Sequence, residues 1–235
     1  MKKSIIALLL ITILSLSFIL KNNDLPINII LVGTYHPYQE KDTKILPNIA
    51  DSLASKSDFL DSVYLFSTGK EFLKILKTVS EKNKIGNLAI MGHSGYQGFF
   101  VKKEAGFYRN DYPMEKIDPK IKVSENSAFI SDLIYLIKNK EIRFSKKSII
   151  ILLGCNTAYG NKNIAKDLAI ASNKTVIGSS QKMDLYNVKN RGQDVLGEGI
   201  GCFVIYYFKN KKLETFTIDT KSITVNELIL IAEKF

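Results

Sequence analysis

Two short apolar runs, each ending at a glycine, constrain the fold of this chain most. The first is Leu88-Ala-Ile-Met91 before Gly92, and the second is Ile149-Ile-Ile-Leu-Leu153 before Gly154. Neither run alternates between apolar and polar residues, a pattern typical of strands that are buried on both faces. Such strands occur in parallel sheets that are covered by helices. The two runs therefore predict the centre of an α/β fold.

Apolar spacing and turn residues predict alternating strands and helices along the rest of the chain. The predicted strands are 28–33, 62–67, 87–91, 148–153, 175–178, 202–208 and 213–218, and the predicted helices are 46–56, 70–82, 127–138, 161–171 and 227–235. A hairpin and a loop are expected within 96–125, and 179–199 is expected to be irregular. About 210 residues are enough for one domain. This order predicts one α/β domain over 27–235, a three-layer α/β/α sandwich around a mostly parallel sheet.

The N-terminus carries the pattern of an export signal. Lys2 and Lys3 precede an apolar and hydroxyl run from Ile5 to Leu20 that has no polar face. This pattern predicts a signal peptide or an N-terminal membrane anchor over residues 1–20, and the sequence leaves both readings open. In either case the positive-inside rule places the rest of the chain outside the cytoplasm, where it would be secreted, periplasmic or anchored through residues 5–20.

The net charge of +10 comes from lysines that are spread along the chain. Nucleic-acid binding would need a basic stripe with interleaved aromatic residues or a known module, and the sequence has neither. We therefore expect no nucleic-acid partner, and the cysteine and histidine described next make a peptide or protein the expected substrate. The sequence has no spaced set of metal ligands and no cofactor motif, so we expect no metal and no cofactor. It does not indicate an oligomeric state.

A histidine and a cysteine directly follow the two apolar runs. His93 comes after Gly92 and Cys155 after Gly154, in a chain with two histidines and two cysteines. Since the carboxyl ends of parallel strands meet at one edge of a sheet, the two side chains are expected to lie close together. A histidine base can take the thiol proton, so that the thiolate attacks a carbonyl carbon. Backbone N–H groups of Ser94, Gly95 and Cys155 are the expected donors to the oxyanion.

The remaining cysteine, histidine and serine candidates have other interpretations. Cys202 lies in an apolar strand and is expected to be a buried thiol outside any disulfide. His36 is expected either in an exposed loop or at the border of the same cleft. The segment Gly92-His-Ser-Gly-Tyr96 nearly matches a serine-hydrolase elbow, but that fold needs a histidine after the serine and no histidine follows His93.

The motifs Gly92-His-Ser-Gly95 and Leu153-Gly-Cys-Asn-Thr-Ala158 resemble those of the caspase-like superfamily of cysteine peptidases, clan CD. The histidine and cysteine are 62 residues apart here, against about 50 in caspases. The resemblance covers residues 27–220 and includes the self-processing protease domains of bacterial toxins, clostripain-like domains and CHAT domains. It implies a caspase-hemoglobinase-like fold and an endopeptidase that uses His93 and Cys155 through a thioacyl-enzyme intermediate.

The resemblance also implies where specificity would be determined. In the superfamily, the loop after the strand that follows the cysteine strand helps to form the primary pocket, and residues 179–186 correspond to it. Asp184 in this segment and His36 are the candidate substrate-binding residues, and Asp184 would pair with a substrate Lys or Arg. The caspase glutamine that helps bind a substrate aspartate has no counterpart, so aspartate specificity is not implied. The alternative is an inactive member that uses the cleft to bind a peptide or an envelope protein.

Overall fold

The computed structural model describes residues 25–34, 42–101, 105–112, 124–183, 201–220 and 223–235. Their elements, in chain order, are β1 Ile27–Gly33, α1 Asp42–Lys56, β2 Ser62–Phe66, α2 Gly69–Lys82, β3 Ile85–Met91, β4 Ser94–Gly95, β5 Gly98–Phe99, β6 Phe107–Tyr108, β7 Ala128–Phe129, α3 Ile130–Lys138, β8 Ile149–Leu153, α4 Ile164–Ser172, β9 Thr175–Ser179, β10 Gly201–Lys209, β11 Lys212–Thr220 and α5 Val225–Ala232. Each long strand and helix that the sequence predicts is present, with bounds shifted by a few residues.

A seven-stranded sheet forms the centre of the domain, in the order β11-β10-β9-β8-β3-β1-β2. Strands β2, β1, β3, β8 and β9 are parallel, whereas β10 is antiparallel to both β9 and β11. The apolar run Ile149–Leu153 is buried throughout, as expected for a strand covered on both faces. The predicted mostly parallel sheet is therefore confirmed.

Helices cover both faces of this sheet because successive side chains of a strand point to opposite faces. In β1, Ile29 and Leu31 belong to one hydrophobic cluster, whereas Ile30 and Val32 belong to another. The first cluster contains the apolar residues of α2, α3 and α4, and the second contains those of α1 and α5. The predicted three-layer α/β/α sandwich is confirmed.

A second, four-stranded sheet in the order β4-β5-β6-β7 lies between β3 and α3 in the chain. A hairpin was expected here, but not the two strands added to it. The helix predicted from residue 127 begins at Ile130, because Ala128–Phe129 instead pairs with Phe107–Tyr108. The Ala128 N–H donates to the Gly106 carbonyl at 3.0 Å, a bond that takes this backbone out of the helix. The turn that contains His93, residues 92–94, is called the histidine turn. It is the point where the chain passes from the large sheet to the small one.

Several predictions of the sequence lie outside the described residues. These are the export segment over residues 1–20, His36 and Asp184. Within the described ranges, the helices are too short or too polar to cross a lipid bilayer.

Candidate active site

The register between β3 and β8 brings the predicted reactive residues to one level of the sheet edge. The strands are parallel, with Met91 opposite Leu153, and the Gly92 N–H donates to the Leu153 carbonyl at 3.2 Å. His93 and Cys155 each come two residues after this pair. Neighbouring strands lie about 4.8 Å apart, so the two residues start from adjacent positions, and both are half-buried. The prediction that they follow neighbouring parallel strands is confirmed.

The cysteine turn, residues 154–158, is fixed against the end of β9. Asn156 has φ 55°, a left-handed conformation that asparagine tolerates better than most residues. Its N–H donates to the Gln181 carbonyl at 2.8 Å, and the Ala158 N–H donates to the Ser179 carbonyl at 2.8 Å. The buried Thr157 hydroxyl accepts from the Ser179 N–H at 2.9 Å. This turn therefore holds the nucleophile candidate rigidly at the sheet edge.

The backbone of Met183 lies directly against the thiol. Its N–H donates to Cys155 Sγ at 3.3 Å, and the thiol donates to its carbonyl at 3.6 Å. Met183 belongs to the segment 179–186 that the resemblance associates with substrate binding, and residues 179–183 of this segment are described. Met183 is therefore placed where it would contact a substrate that is bound at the thiol.

The histidine turn leads into the β4–β5 hairpin. The Phe100 N–H donates to the His93 carbonyl at 2.8 Å, beside the Ser94–Phe99 pair. That geometry is the non-hydrogen-bonded pairing of an antiparallel ladder, in which the Ser94 N–H does not point at Phe99. The next pair, Gly95 with Gly98, is of the hydrogen-bonded kind. Of the expected oxyanion donors, Ser94 is therefore better placed than Gly95.

A hydrogen bond that the sequence reasoning missed joins the two turns. The Ser94 hydroxyl donates to the Cys155 carbonyl at 3.0 Å. Gly154 makes this approach feasible, since a Cβ there would lie 2.9 Å from Ser94 Cβ and 2.7 Å from the Gly92 carbonyl oxygen, and closer still to Ser94 Oγ. A serine beside a histidine has no sequence signature for such a contact, because the partner is 61 residues away.

A buried arginine ties the small sheet to the helix that follows the cysteine turn. Arg109 is 7% exposed, and its Nε lies 2.6 Å from the Asp167 carboxylate on α4. Asp111 provides a second carboxylate at 3.1 Å. The Ile164 N–H at the start of α4 also donates to the Tyr96 carbonyl in the hairpin at 2.8 Å. Sequence reasoning did not single out Arg109, since a buried arginine is evident only once its burial is known.

Cys202 is not buried as the sequence predicted. It is half-buried, and its Sγ lies 3.7 Å from Asp219 Oδ1 on the neighbouring strand β11. The reason is its position near the start of β10, since Val204 and Tyr206 on the same face of the strand are the residues that pack on the core. Both cysteines are free, so the Cys155 thiol is not consumed by a disulfide.

Two cavities among the described residues lie away from this edge. One of about 470 Å³ is lined by Lys146, Lys147 and Lys174 at the amino ends of β8 and β9, and the other, of about 510 Å³, lies between β2 and α2. Burial lowers the pKa of Lys174 below its ordinary value of 10.5, and its Nζ donates to the Ser145 carbonyl at 2.6 Å. Across the described ranges, no three His, Cys, Asp or Glu side chains group as metal ligands would.

A scan against protein-family models finds no match for this chain, and a search of curated proteins finds none either. The caspase-like resemblance of the two motifs therefore stays a prediction about the family. What the chain can do is inferred below from the geometry of His93 and Cys155.

Proposed function

We propose that the protein is a cysteine endopeptidase of the caspase-like type, with Cys155 as nucleophile and His93 as base. The observation that carries the proposal is the β3–β8 register. The two strands are parallel neighbours, and both residues follow them at the same level of the sheet edge. Thiol activation needs an imidazole within hydrogen-bond reach of the thiol, and side chains that leave neighbouring strand ends can come within that reach. Both are half-buried, so a substrate can approach them while the surrounding apolar strands keep the site partly dry.

In the first half of the reaction, His93 takes the thiol proton and the Cys155 sulfur attacks the carbonyl carbon of the scissile peptide bond. The oxyanion that forms accepts hydrogen bonds from the Ser94 and Cys155 N–H groups. Such fixed backbone donors stabilise the charge that develops in the transition state. The carbon–nitrogen bond then breaks, and the leaving amine takes the proton from His93, which leaves a thioacyl-enzyme.

In the second half, His93 acts as a base toward water. The water oxygen attacks the thioacyl carbon while His93 takes a proton from it, and the same backbone donors hold the second oxyanion. The carbon–sulfur bond breaks, the proton returns to the sulfur, and the carboxylic acid product leaves. One peptide bond and one water are consumed in each cycle, and no cofactor takes part.

The site of action follows from the N-terminal pattern. We propose that the domain works outside the cytoplasm, delivered by the apolar segment over residues 5–20. Its substrate would then be a peptide or protein of the cell envelope or the surroundings. This placement rests on the charge and length of the segment.

Covalent labelling tests whether Cys155 is a nucleophile or part of a binding cleft without chemistry. The full chain is treated with a set of biotinylated peptide acyloxymethyl ketones, from which a thiolate displaces a carboxylate to leave a thioether. We expect label on Cys155, located by peptide mass spectrometry, and no label in Cys155→Ala. Cys202→Ala is the matched control, because it removes the other half-buried thiol, and should be labelled like the wild type.

Labelling of Cys202 in preference to Cys155, or no labelling of a folded chain that iodoacetamide still alkylates, would overturn the proposal. Those results would favour the inactive, peptide-binding alternative. Cleavage of a fluorogenic peptide set measures the same contrast by turnover, with activity expected in the wild type and in Cys202→Ala.

A further inference from the structure

The hydroxyl of Ser94 occupies the place where the backbone ladder between β3 and β8 would continue. After the bond from the Gly92 N–H to the Leu153 carbonyl, a regular parallel ladder would next join the N–H of residue 94 to the carbonyl of residue 155. Here the Cys155 carbonyl instead accepts from the Ser94 hydroxyl at 3.0 Å. A side chain thus supplies the connection one step beyond the end of the strands.

This substitution has a consequence for the backbone of Ser94. Among the described residues, the Cys155 carbonyl accepts from the Ser94 hydroxyl and not from the Ser94 N–H. The pairing of Ser94 with Phe99 is of the kind that exchanges no N–H bonds between the two residues. The Ser94 N–H therefore donates to neither the Cys155 carbonyl nor the Phe99 carbonyl. A backbone donor without a committed acceptor is what an oxyanion requires.

The hydroxyl is also held tightly in its place. It lies over the backbone of Gly154, where even one added methyl group would overlap Ser94. The bond is partly buried, so water competes with it less than at an open surface. The Ser94 hydroxyl, Gly154 and the Cys155 carbonyl form a packed contact between the two turns, which we call the turn clamp.

We propose that Ser94 is a positioning residue: through the turn clamp its hydroxyl fixes the Cys155 backbone relative to the histidine turn and keeps its own N–H free for the oxyanion. The inference rests on the proposed peptidase function. The Ser94 side chain does not touch the reacting atoms; it acts through the Cys155 carbonyl. Its loss should therefore reduce the rate of the chemical step rather than the binding of substrate.

Ser94→Ala in the full chain tests this inference. We expect kcat to fall by about 10- to 100-fold, less than the about 100- to 1,000-fold of a removed oxyanion donor, because the donor is displaced rather than lost. KM should change by less than about threefold, because the hydroxyl makes no ground-state contact with substrate. Ser94→Thr keeps the hydroxyl and should restore kcat to within about threefold of the wild type, since the same clamp bond can form.

The matched control is Ser172→Ala. Its buried hydroxyl also donates to a backbone carbonyl, that of Leu168 at 2.7 Å, but on α4 and away from the turns. Both alanine variants lose one serine-to-carbonyl bond, so their melting temperatures should fall by similar amounts. Only Ser94→Ala should lose kcat.

A second measurement separates positioning from general weakening of the fold. A peptide aldehyde of the sequence cleaved fastest in the fluorogenic set forms a hemithioacetal whose oxygen uses the oxyanion donors. Its affinity should fall in Ser94→Ala about as much as kcat does. Alkylation of Cys155 by iodoacetamide creates no oxyanion, so its rate should fall by less than kcat does. If Ser94→Ala does not fold, Ser94→Gly removes the same hydroxyl with more room above Gly154.

The outcomes distinguish the inference from the proposed function. If the wild type cleaves peptides but Ser94→Ala keeps its kcat and aldehyde affinity, the inference is overturned and the peptidase proposal stands. If the wild type neither cleaves peptides nor is labelled, the peptidase proposal falls and the inference falls with it.

Discussion

Gly154→Ala is a substitution outside the reacting groups for which the structure predicts a large loss of activity at the candidate site. The added Cβ would lie 2.7 Å from the Gly92 carbonyl oxygen and 2.9 Å from Ser94 Cβ. Ordinary contacts at these atoms are about 3.5 Å. One of the contacts is backbone, so it cannot be relieved by a rotamer change. The histidine and cysteine turns must therefore separate by roughly 1 Å.

Two magnitudes follow from that separation. Overpacking of a well-packed site costs about 1–3 kcal/mol, which for a domain of this size lowers Tm by about 2–12 °C. A displacement of about 1 Å between reacting groups can cost about 100-fold in rate. We therefore expect a variant that folds, has a Tm lowered by that amount and has lost most of its kcat. Thermal unfolding by circular dichroism and turnover of a fluorogenic peptide measure the two effects.

Gly86→Ala provides the matched control at the other end of β3. A Cβ there would overlap the Asn28 side chain and lie 3.2 Å from Pro26 Cβ. Displacing that side chain would disturb its hydrogen bond with the Asn87 N–H, far from the site. This variant should lose stability but keep its kcat. The reasoning is refuted if Gly154→Ala keeps kcat to within about twofold, or if Gly86→Ala loses activity equally.

Three further predictions concern other parts of the chain. Asp167→Asn leaves the buried Arg109 with one carboxylate and should lower the free energy of unfolding by about 2 kcal/mol. The Asp111 side chain is 51% exposed, so Asp111→Asn should cost under about 1 kcal/mol. Equal losses of the two variants in urea unfolding would contradict this. Hydrogen bonds from the backbone N–H and hydroxyl of Thr224 lower the pKa of Glu227 below its ordinary value of 4.5. Its stabilisation is therefore present above pH 4.5 and is lost as the pH falls through the lowered pKa. Glu227→Gln should reduce the urea midpoint more at pH 7 than at pH 3. Protease added to intact bacterial cells or spheroplasts that express the full chain should digest the domain, and digestion that requires permeabilisation would contradict an extracytoplasmic location.

The central sheet could be predicted from the sequence because its strands have strong local patterns. The run Ile149–Leu153 is apolar at every position, which in a chain of this length has few alternatives to a buried strand. The position of His93 and Cys155 at one edge followed from strand direction alone. The sequence therefore predicted that the two residues lie close together, but not the hydrogen bond from the Ser94 hydroxyl that joins their turns.

The small sheet could not be predicted in the same way. Strands of two residues, such as Phe107–Tyr108 and Ala128–Phe129, are too short to show a period. Their pairing depends on backbone hydrogen bonds between distant segments. Burial of Cys202 was predicted wrongly for a related reason, since the apolar character of β10 does not show how far along the strand the core extends.

The small sheet matters to the site because it decides how freely the histidine turn can move. Three contacts hold that turn: the Phe100 N–H on the His93 carbonyl, the Ser94 hydroxyl on the Cys155 carbonyl, and the Ile164 N–H on the Tyr96 carbonyl. Each comes from a different element, namely the hairpin, the cysteine turn and α4. A segment held from three directions loses little further conformational entropy when the transition state forms, so less of the binding energy is needed to order it. It follows that substitutions in the hairpin should reduce kcat even where they touch neither His93 nor substrate.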